Sequence, residues 1–294
     1  MGILLGLLTA VSWGGSDFLA RFVAQRIGTL RTTLYMQFLG FLLLTISLRW
    51  FGGWGHLMDG SGWQPWAWGV LAGTMNAIST LSLYRSFEIG KLAVVAPVSS
   101  AYPALTLLLS LLTGERLTPA RAVGIALTLL GAIVVARGET SAEKNDAAFE
   151  QKRKKTTRAI GWALISTIGF GVLFWLLGNY VVPRVGYAST VWMIRLTSSV
   201  LTALVILLTK QAISPPLQGA VRGSLLCMGI FDTGAFIMNN RGMQIEQVSV
   251  VSVLASLYGA VTVGLAAIFL HEHLSRWQWV GVVALFVGIY LISR

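Results

Sequence analysis

The segment "YRSFEIGKLAVVAPVSSAYPALT" at residues 84–106 decides the fold, because it has a second copy, "NRGMQIEQVSVVSVLASLYGAVT", at residues 240–262. The two copies stay in register over their whole length, so that Tyr102 corresponds to Tyr258. Both copies are mainly apolar, and each is long enough to cross about 30 Å of hydrocarbon as a helix. The chain therefore contains an internal duplication of membrane-spanning sequence.

The duplication extends on both sides of this segment. Upstream, "RIGTLRTTLYMQF" at residues 26–38 matches "RVGYASTVWMIRL" at residues 184–196, which places Gln37 opposite Arg195. Downstream, "GERLTPARAVGIALTLLGAIVV" corresponds to "HEHLSRWQWVGVVALFVGIYLI". The repeated unit is therefore several spans long.

The composition is that of a membrane protein. Of the 294 residues, 55% are hydrophobic and 11% are charged, and the mean hydropathy is +0.73. Soluble domains carry about 25% charged residues. Apolar runs long enough to span a bilayer recur from one end of the chain to the other. The predicted spans are residues 3–20, 32–51, 64–84, 91–112, 119–136, 159–178, 187–208, 219–240, 247–270 and 276–292.

Ten spans in two copies leave five spans for each copy. Because five is odd, the second copy enters the membrane from the opposite face, which produces an inverted repeat. We predict an all-α membrane protein of ten transmembrane helices arranged as two inverted five-helix repeats. The first repeat covers residues 1–137, a polar linker covers residues 138–158, and the second repeat covers residues 159–294. The linker lacks a periodic apolar face and is expected to be flexible.

The basic charge does not indicate a nucleic-acid partner. The net charge is +11, and residues 152–155 form a basic run in the linker. An excess of Lys and Arg in loops between spans is the usual signature of membrane orientation. The single cysteine, Cys227, excludes an internal disulfide, and His56, His271 and His273 lie near the ends of predicted spans. We expect no buried catalytic pair, no enzymatic activity, no metal and no cofactor.

The order of the motifs resembles the ten-span EamA-type transporters of the drug/metabolite transporter superfamily. The matching stretches are "SWGGSDF" in the first span, "VAPVSSAYPALTLLLSLLTGERLT" in the fourth and "VGIALTLLGAIVV" in the fifth, each with an echo in the second half. The resemblance covers nearly the whole chain except the linker. It implies secondary transport of small metabolites, often export, and it does not identify a substrate.

The first span carries a carboxylate, Asp17, on a helical face that it shares with Trp13 and Ser16. An ionisable residue within a span costs roughly 2.5–3.5 kcal/mol on insertion scales, unless it faces a cavity or a partner. One interpretation is an intrahelical ion pair with Arg21 at i+4. The other is that Asp17 faces a central cavity, where it would receive an ammonium group or a proton.

The eighth span contains a second carboxylate, Asp232, whose counterpart in the third span is Asn76. Asp232 has no basic neighbour at i+3 or i+4, so we expect it to bind a cation or a proton, or to pair across the cavity with Arg195. Arg195 would otherwise hold a substrate carboxylate. Asp17 and Asp232 are the predicted proton-coupling residues. For Asn76, an interhelical hydrogen bond is the alternative to substrate binding.

Polar and aromatic residues on spans one, three, four, six, eight and nine complete a predicted cavity. The predicted substrate-binding residues are Trp13, Ser16, Asp17, Asn76, Thr80, Tyr84, Ser99, Tyr102, Trp175, Arg195, Phe236 and Tyr258. Pro97, Pro103 and Gly259 interrupt the fourth and ninth spans and are the predicted hinges, because matching Gly and Pro interruptions are typical of transporter binding sites. Kinks that serve packing alone are the alternative interpretation.

The sequence predicts a secondary transporter that moves a small organic metabolite by alternating access, coupled to protons and directed outward. The combination of acids with Arg195 favours an amino-acid-like zwitterion. A multidrug or organic-cation transporter of the same fold is the alternative, favoured if Arg195 is held in a salt bridge, and an intramembrane enzyme is less favoured. The expected partners are the small-molecule substrate, protons and the lipid bilayer of the cell membrane, with the chain as a monomer or homodimer.

Overall fold

A computed structural model of the chain describes residues 1–51, 53–114, 118–137, 147–213, 219–272 and 274–292. Helices form almost all of this part of the chain, and no strand occurs in it, as predicted. The α-helices are α1 (Gly2–Ile27), α2 (Thr29–Ser47), α3 (Gln64–Ile89), α4 (Leu92–Ser99), α5 (Tyr102–Ser110), α6 (Pro119–Arg137), α7 (Ala147–Leu176), α8 (Val182–Val185), α9 (Tyr187–Leu208), α10 (Gly219–Ile245), α11 (Val248–Ser256), α12 (Tyr258–Phe269) and α13 (Arg276–Ile292).

Seven helical segments among the described residues are long and apolar enough to cross a membrane. Two of them are broken spans, Leu92–Ser110 and Val250–Phe269, which join α4 to α5 and α11 to α12. Helices α6 and α13 carry shorter apolar stretches. Helix α3 has 26 residues, and it is more polar than the seven segments. Each of the ten predicted spans coincides with a helix or a broken helix, and the chain is a multi-pass membrane protein.

The helices of the two halves pack in a reciprocal pattern. Helix α1 packs along α10 as α7 packs along α3, while α2 packs against α9 and α6 against α13. Hydrogen bonds repeat with the helices, since Thr106 Oγ1 donates to the carbonyl of Gly171 and Thr262 Oγ1 donates to the carbonyl of Gly14. Exchanging the two halves leaves these contacts nearly unchanged, which is the pattern that a two-fold axis produces.

The fourth and ninth spans are broken at corresponding points, between α4 and α5 and between α11 and α12. Pro103 lies in the first turn of α5, where its missing N–H leaves no helical hydrogen bond unmade, and Pro97 lies inside α4. Gly259 occupies the matching position in α12, where a Cβ would lie 2.5 Å from Ser100 Oγ. The predicted hinge residues therefore lie beside real helix breaks, and their hinge role stays a prediction.

The sixth span differs from the first by a π-helical turn at Leu177–Val181. The matching threonine contacts align Gly171 with Gly14, and the sequence aligns Gly186 with Gly28. The sixth span therefore has one residue more than the first between these points. A π turn accommodates one extra residue without ending the helix, and such turns are frequent at functional sites.

The predicted linker differs in part from the structure. Residues 138–146 lie outside the described residues, whereas the chain is helical from Ala147, at the start of α7. The expectation of flexibility was therefore wrong for residues 147–158. Lys, Arg and Gln have good helix propensities, and a helix nucleated in the following apolar span extends through them at little cost.

Candidate functional site

A cavity lies between the two halves, lined by α1, α3, α5, α7, α10 and α12. These are the six spans that the sequence assigned to a central cavity. The cavity has a volume of about 30 Å³ open to a water-sized sphere, which is room for one or two water molecules. The lining residues are Trp13, Asp17, Thr80, Leu83, Tyr84, Tyr102, Phe170, Phe174, Asp232, Phe236 and Tyr258.

Asp17 lines this cavity and is only 5% exposed. Its alternative partner, Arg21, is engaged elsewhere, because the guanidinium donates to the carbonyl oxygens of Phe87 and Gly90 and lies 3.8 Å from the Glu272 carboxylate. Within the described part of the chain, no side chain forms a hydrogen bond or an ion pair with Asp17. Asp17 is therefore a buried carboxylate that faces a cavity without a protein partner.

Arg195 on α9 is fully buried and its charge is paired. Its Nη2 lies 2.6 Å from Asp232 Oδ2, and its Nη1 donates to Gln37 Oε1 at 2.5 Å. The guanidinium carbon lies 5.0 Å from the centroid of the Phe236 ring, which adds a cation–π contact. The expectation that Arg195 pairs with a carboxylate is confirmed. Asp232 therefore faces the cavity with its charge neutralised from behind.

Aromatic rings from both halves form the wall of the cavity. The Trp13 ring lies 5.5 Å from Phe174, 5.1 Å from Phe236 and 6.2 Å from Tyr258, measured between centroids. Tyr102 and Tyr258, which the duplication relates, stack with centroids 6.5 Å apart and planes at 15°. Because the face of an aromatic ring attracts cations, this wall suits an organic cation.

Two hydroxyl groups fix the stacked tyrosines across the broken spans. Tyr258 donates to Ser99 Oγ at 3.2 Å, and Tyr102 donates to the backbone carbonyl of Ser252 at 3.1 Å. Each tyrosine thus bonds to the broken span of the other half. These bonds hold the rings in place where α4–α5 meets α11–α12.

Most predicted site residues lie at the cavity. Those that line it are Trp13, Asp17, Thr80, Tyr84, Tyr102, Asp232, Phe236 and Tyr258. Ser16, Ser99 and Arg195 are completely buried behind this lining, where Ser99 accepts the hydrogen bond from Tyr258. These three side chains are therefore not in direct contact with the cavity.

Two predicted site residues lie away from the cavity. Asn76 donates to Ser198 Oγ at 3.1 Å, which is the interhelical hydrogen bond considered as its alternative role. Trp175 packs against Tyr180 with ring centroids 5.3 Å apart. Because Trp175 follows Phe174 by one residue, it points about 100° away around α7. The sequence identified the right helix for the aromatic wall but the wrong residue.

Four residues of the site were missed in the sequence. Leu83, Phe170 and Phe174 line the cavity, and Gln37 binds Arg195. The register of Gly28 with Gly186 in the sequence places Trp175 opposite Asp17, whereas the threonine contacts before the π turn place Phe170 and Phe174 opposite Trp13 and Asp17. Gln37 was already aligned with Arg195, and repeat-related residues meet when their helices cross at the two-fold axis.

A cluster at one end of the cavity connects the two halves. Arg21 follows Asp17 by one turn of α1 and pairs with Glu272, which lies between α12 and α13. Glu272 also accepts a hydrogen bond of 2.9 Å from the backbone N–H of Ala93 at the start of α4. This cluster therefore links α1 and the start of α4 to the connection between α12 and α13.

The lining of the cavity is both charged and aromatic. Its lining contains two carboxylates and three tyrosine hydroxyls. Among the residues that the structure describes, no group of three or more His, Cys, Asp or Glu side chains could hold a metal ion.

Comparisons with known proteins agree with a duplicated membrane architecture. An uncharacterised protein of Methanocaldococcus jannaschii is 30% identical over 134 residues, a match that covers 94% of that protein and 45% of this chain, so the relative has about the length of one repeat. A protein crystal structure with 19% sequence identity has the same fold, with a TM-score of 0.71 over 99% of this chain and 95% of the other. The family model described as the EamA-like transporter family matches residues 1–137 and 157–294. The chain therefore belongs to the EamA-like transporter family of the drug/metabolite transporter superfamily, and it is a multi-pass membrane transporter.

Proposed function

We propose that this transporter carries a small organic cation across the cell membrane by alternating access, in exchange for protons. The observation that supports this most is Asp17, a buried carboxylate that lines an aromatic cavity and has no partner among the described residues. A carboxylate buried in a membrane protein is stable when it holds a proton or a cation. Asp17 is therefore suited to hold each of them in turn.

The pairing of Arg195 favours a cation over the zwitterion that the sequence favoured. The carboxylate of a zwitterion needs a basic group, and the only candidate in the sequence was Arg195, which lies 2.6 Å from Asp232. Recruiting Arg195 to a solute would leave Asp232 uncompensated, and breaking a buried ion pair costs about 3–5 kcal/mol. An organic cation needs only Asp17 and the ring faces.

The spacing of the rings favours a small solute. Tyr102 lies 4.8 Å from Phe174 and 6.5 Å from Tyr258, between centroids, so the aromatic wall is closely packed. Any solute must separate these rings, and a compact ammonium ion separates them less than a polycyclic compound would, while it gains cation–π attraction.

Proton exchange is assigned to Asp17. The ionisable groups that face it are Asp232 on α10 with Arg195 behind it on α9, Tyr84 on α3, Tyr102 on α5 and Tyr258 on α12. Asp232 is held in an ion pair with Arg195, so Asp17 is the one of the two predicted coupling residues without a protein partner among the described residues, and we assign the proton to it. A proton entering from outside displaces the cation, and an inward proton gradient therefore drives export.

The cluster around Arg21 is the part of the structure that alternating access must change. Arg21 belongs to the first half and Glu272 to the second, and their contact ties the two halves together one turn of α1 away from Asp17. Separating the halves on this side requires the two side chains to part. Halves that are related by inversion then rock around a site that stays near the midplane.

The test is uptake into proteoliposomes with an acidic interior, using tetramethylammonium as the cation and leucine as the zwitterion. We expect the proton gradient to drive uptake of tetramethylammonium and not of leucine. Asp17→Asn removes the charge with little change of volume, and we expect it to abolish both gradient-driven uptake and cation exchange. Uptake of leucine without tetramethylammonium would replace the cation with a zwitterion.

Asp59→Asn is the matched control. Asp59 lies in the exposed loop between α2 and α3, where hydrogen bonds from Ser61 and from His56 lower the pKa of its carboxyl group to about 2. Its ionisation therefore does not change above pH 5, and we expect Asp59→Asn to keep the pH dependence of uptake. A wild-type pH dependence in Asp17→Asn would contradict the assignment of proton coupling.

A further inference from the structure

The cavity contains charges that do not cancel. Asp17 and Asp232 both line it, and Arg195 lies directly behind Asp232 at 2.6 Å. Lys, Arg and His are absent from its lining within the described part of the chain. With Arg195 neutralising Asp232, a solute in the cavity meets one net negative charge, which is carried by Asp17.

Arg195 is held in place by several contacts that leave it no freedom to follow a solute. Its Nη1 donates to Gln37 at 2.5 Å, and its guanidinium lies over the Phe236 ring. Gly40 on α2 makes room for it, because a Cβ there would lie 3.1 Å from both Cδ and Nε of Arg195. The side chain is 0% exposed. Arg195 therefore stays with Asp232 rather than turning to the cavity.

The duplication explains why glutamine is the neighbour of this arginine. Gln37 and Arg195 are repeat counterparts, and they meet where α2 crosses α9. Two arginines at this crossing would repel each other in a low-dielectric interior. Gln37 instead supplies a neutral acceptor, so the first half keeps the position polar without adding charge.

We propose that the Arg195–Asp232 pair, oriented by Gln37, sets the selectivity of the cavity for solutes that carry a single positive charge. This inference rests on the proposed cation transport. Arg195 and Gln37 are positioning residues, because they act through Asp232 and do not touch the solute. A dication meets one uncompensated acid where it needs two, and a zwitterion finds no free base for its carboxylate.

The experiment changes the net charge of the cavity in single steps. Proteoliposomes are assayed for uptake of tetramethylammonium, of diprotonated 1,4-diaminobutane and of leucine. Arg195→Gln makes the cavity doubly negative, and we expect the uptake ratio of the dication to tetramethylammonium to rise at least about tenfold. Asp232→Asn makes the cavity neutral, and we expect uptake of tetramethylammonium to fall at least about tenfold.

The double variant Arg195→Gln/Asp232→Asn restores one net negative charge, that of Asp17, and leaves neither member of the broken ion pair charged. We expect it to recover uptake of tetramethylammonium to within about threefold of wild type, which loss of packing alone would not allow. Thermal unfolding of each purified variant separates a folding defect from a change of selectivity. If a single variant does not fold, the double variant still provides the test.

The outcomes separate the two proposals. Wild-type protein that takes up no cation overturns the proposed function. If wild-type protein takes up tetramethylammonium, the selectivity role is overturned alone by a double variant that remains at or below the uptake of Asp232→Asn. A wild-type ranking of the two cations in folded Arg195→Gln also overturns it.

Discussion

The two halves of the molecule share a scaffold but differ in charge. Matching contacts, such as those of Thr106 with Gly171 and of Thr262 with Gly14, repeat across the two-fold relation. The charged positions at the cavity do not repeat, although others do, such as Arg26 with Arg184 and Arg85 with Arg241. Where the first half has Asp17 the second has Phe174, and where the second half has Arg195 the first has Gln37. Symmetry is therefore kept where backbones pack and is lost at the cavity and at the buried ion pair.

This difference has a physical reason. Close helix packing depends on complementary surfaces, and two copies of one unit can present complementary surfaces to each other. Charges near a two-fold axis face their own copies, and like charges in a low-dielectric interior repel. A duplicated transporter therefore gains a single charged site only by losing the charge from one half. The ring that replaces the lost charge joins the aromatic lining. Phe174 occupies the position that corresponds to Asp17, and its ring centroid lies 5.5 Å from that of Trp13.

The largest expected effect comes from breaking the buried ion pair. Arg195→Met leaves Asp232 unpaired, and we expect the free energy of unfolding to fall by about 3–5 kcal/mol. Thermal unfolding of the purified protein in detergent measures this loss of stability. Arg195→Met/Asp232→Leu removes both charges and is expected to recover most of the loss. Equal destabilisation in the double variant would show that Arg195 acts through packing rather than charge.

The charge asymmetry itself can be reversed. Asp17→Phe/Phe174→Asp moves the carboxylate to the related position in the second half and conserves the total volume of the two side chains. We expect this variant to bind tetramethylammonium within about tenfold of wild type, which is about 1.4 kcal/mol. Isothermal titration calorimetry compares it with Asp17→Phe, which should show no binding. Absence of binding in the folded swap would mean that the two halves are not equivalent around the cavity.

A loss of stability smaller than that of Arg195→Met is expected where the two broken spans approach each other. In Gly259→Ala the new Cβ would lie 2.5 Å from Ser100 Oγ, so we expect a destabilisation of about 1–3 kcal/mol. Gly264→Ala on the same helix is the matched control, because nothing lies within 4 Å of its Cβ position. The control should change stability by less than about 1 kcal/mol. Similar unfolding temperatures for the two variants would contradict the close approach.

The smallest effects test the symmetry of the tyrosine bonds. Tyr258→Phe removes the hydrogen bond to Ser99, and Tyr102→Phe removes the bond to the carbonyl of Ser252. We expect each change to destabilise the protein by about 0.5–1.5 kcal/mol. Thermal unfolding should give equal losses for the two variants. A large difference between the two losses would show that the two hydrogen bonds contribute unequally to stability.

Sequence periodicity predicted the helices well because spans must satisfy every backbone hydrogen bond internally. It also predicted that Asp17, Asp232 and the tyrosines face one cavity, and the structure places them in the lining of one cavity. It failed for Trp175, because a displacement of one residue around a helix cannot be seen without knowing which face packs inward. It failed for residues 147–158, where polar composition does not distinguish a linker from the extension of a helix.

The sequence by itself determined the membrane architecture and its duplication, since hydropathy and internal repetition are local properties of the chain. It also determined that a few charges had to be buried. Only the tertiary structure decided that Arg21 binds Glu272 and that Arg195 binds Asp232, leaving Asp17 without an ion-pair partner in the described part of the chain. Pairing of buried charges depends on which helices cross at the same depth, and that is a property of packing rather than of sequence order.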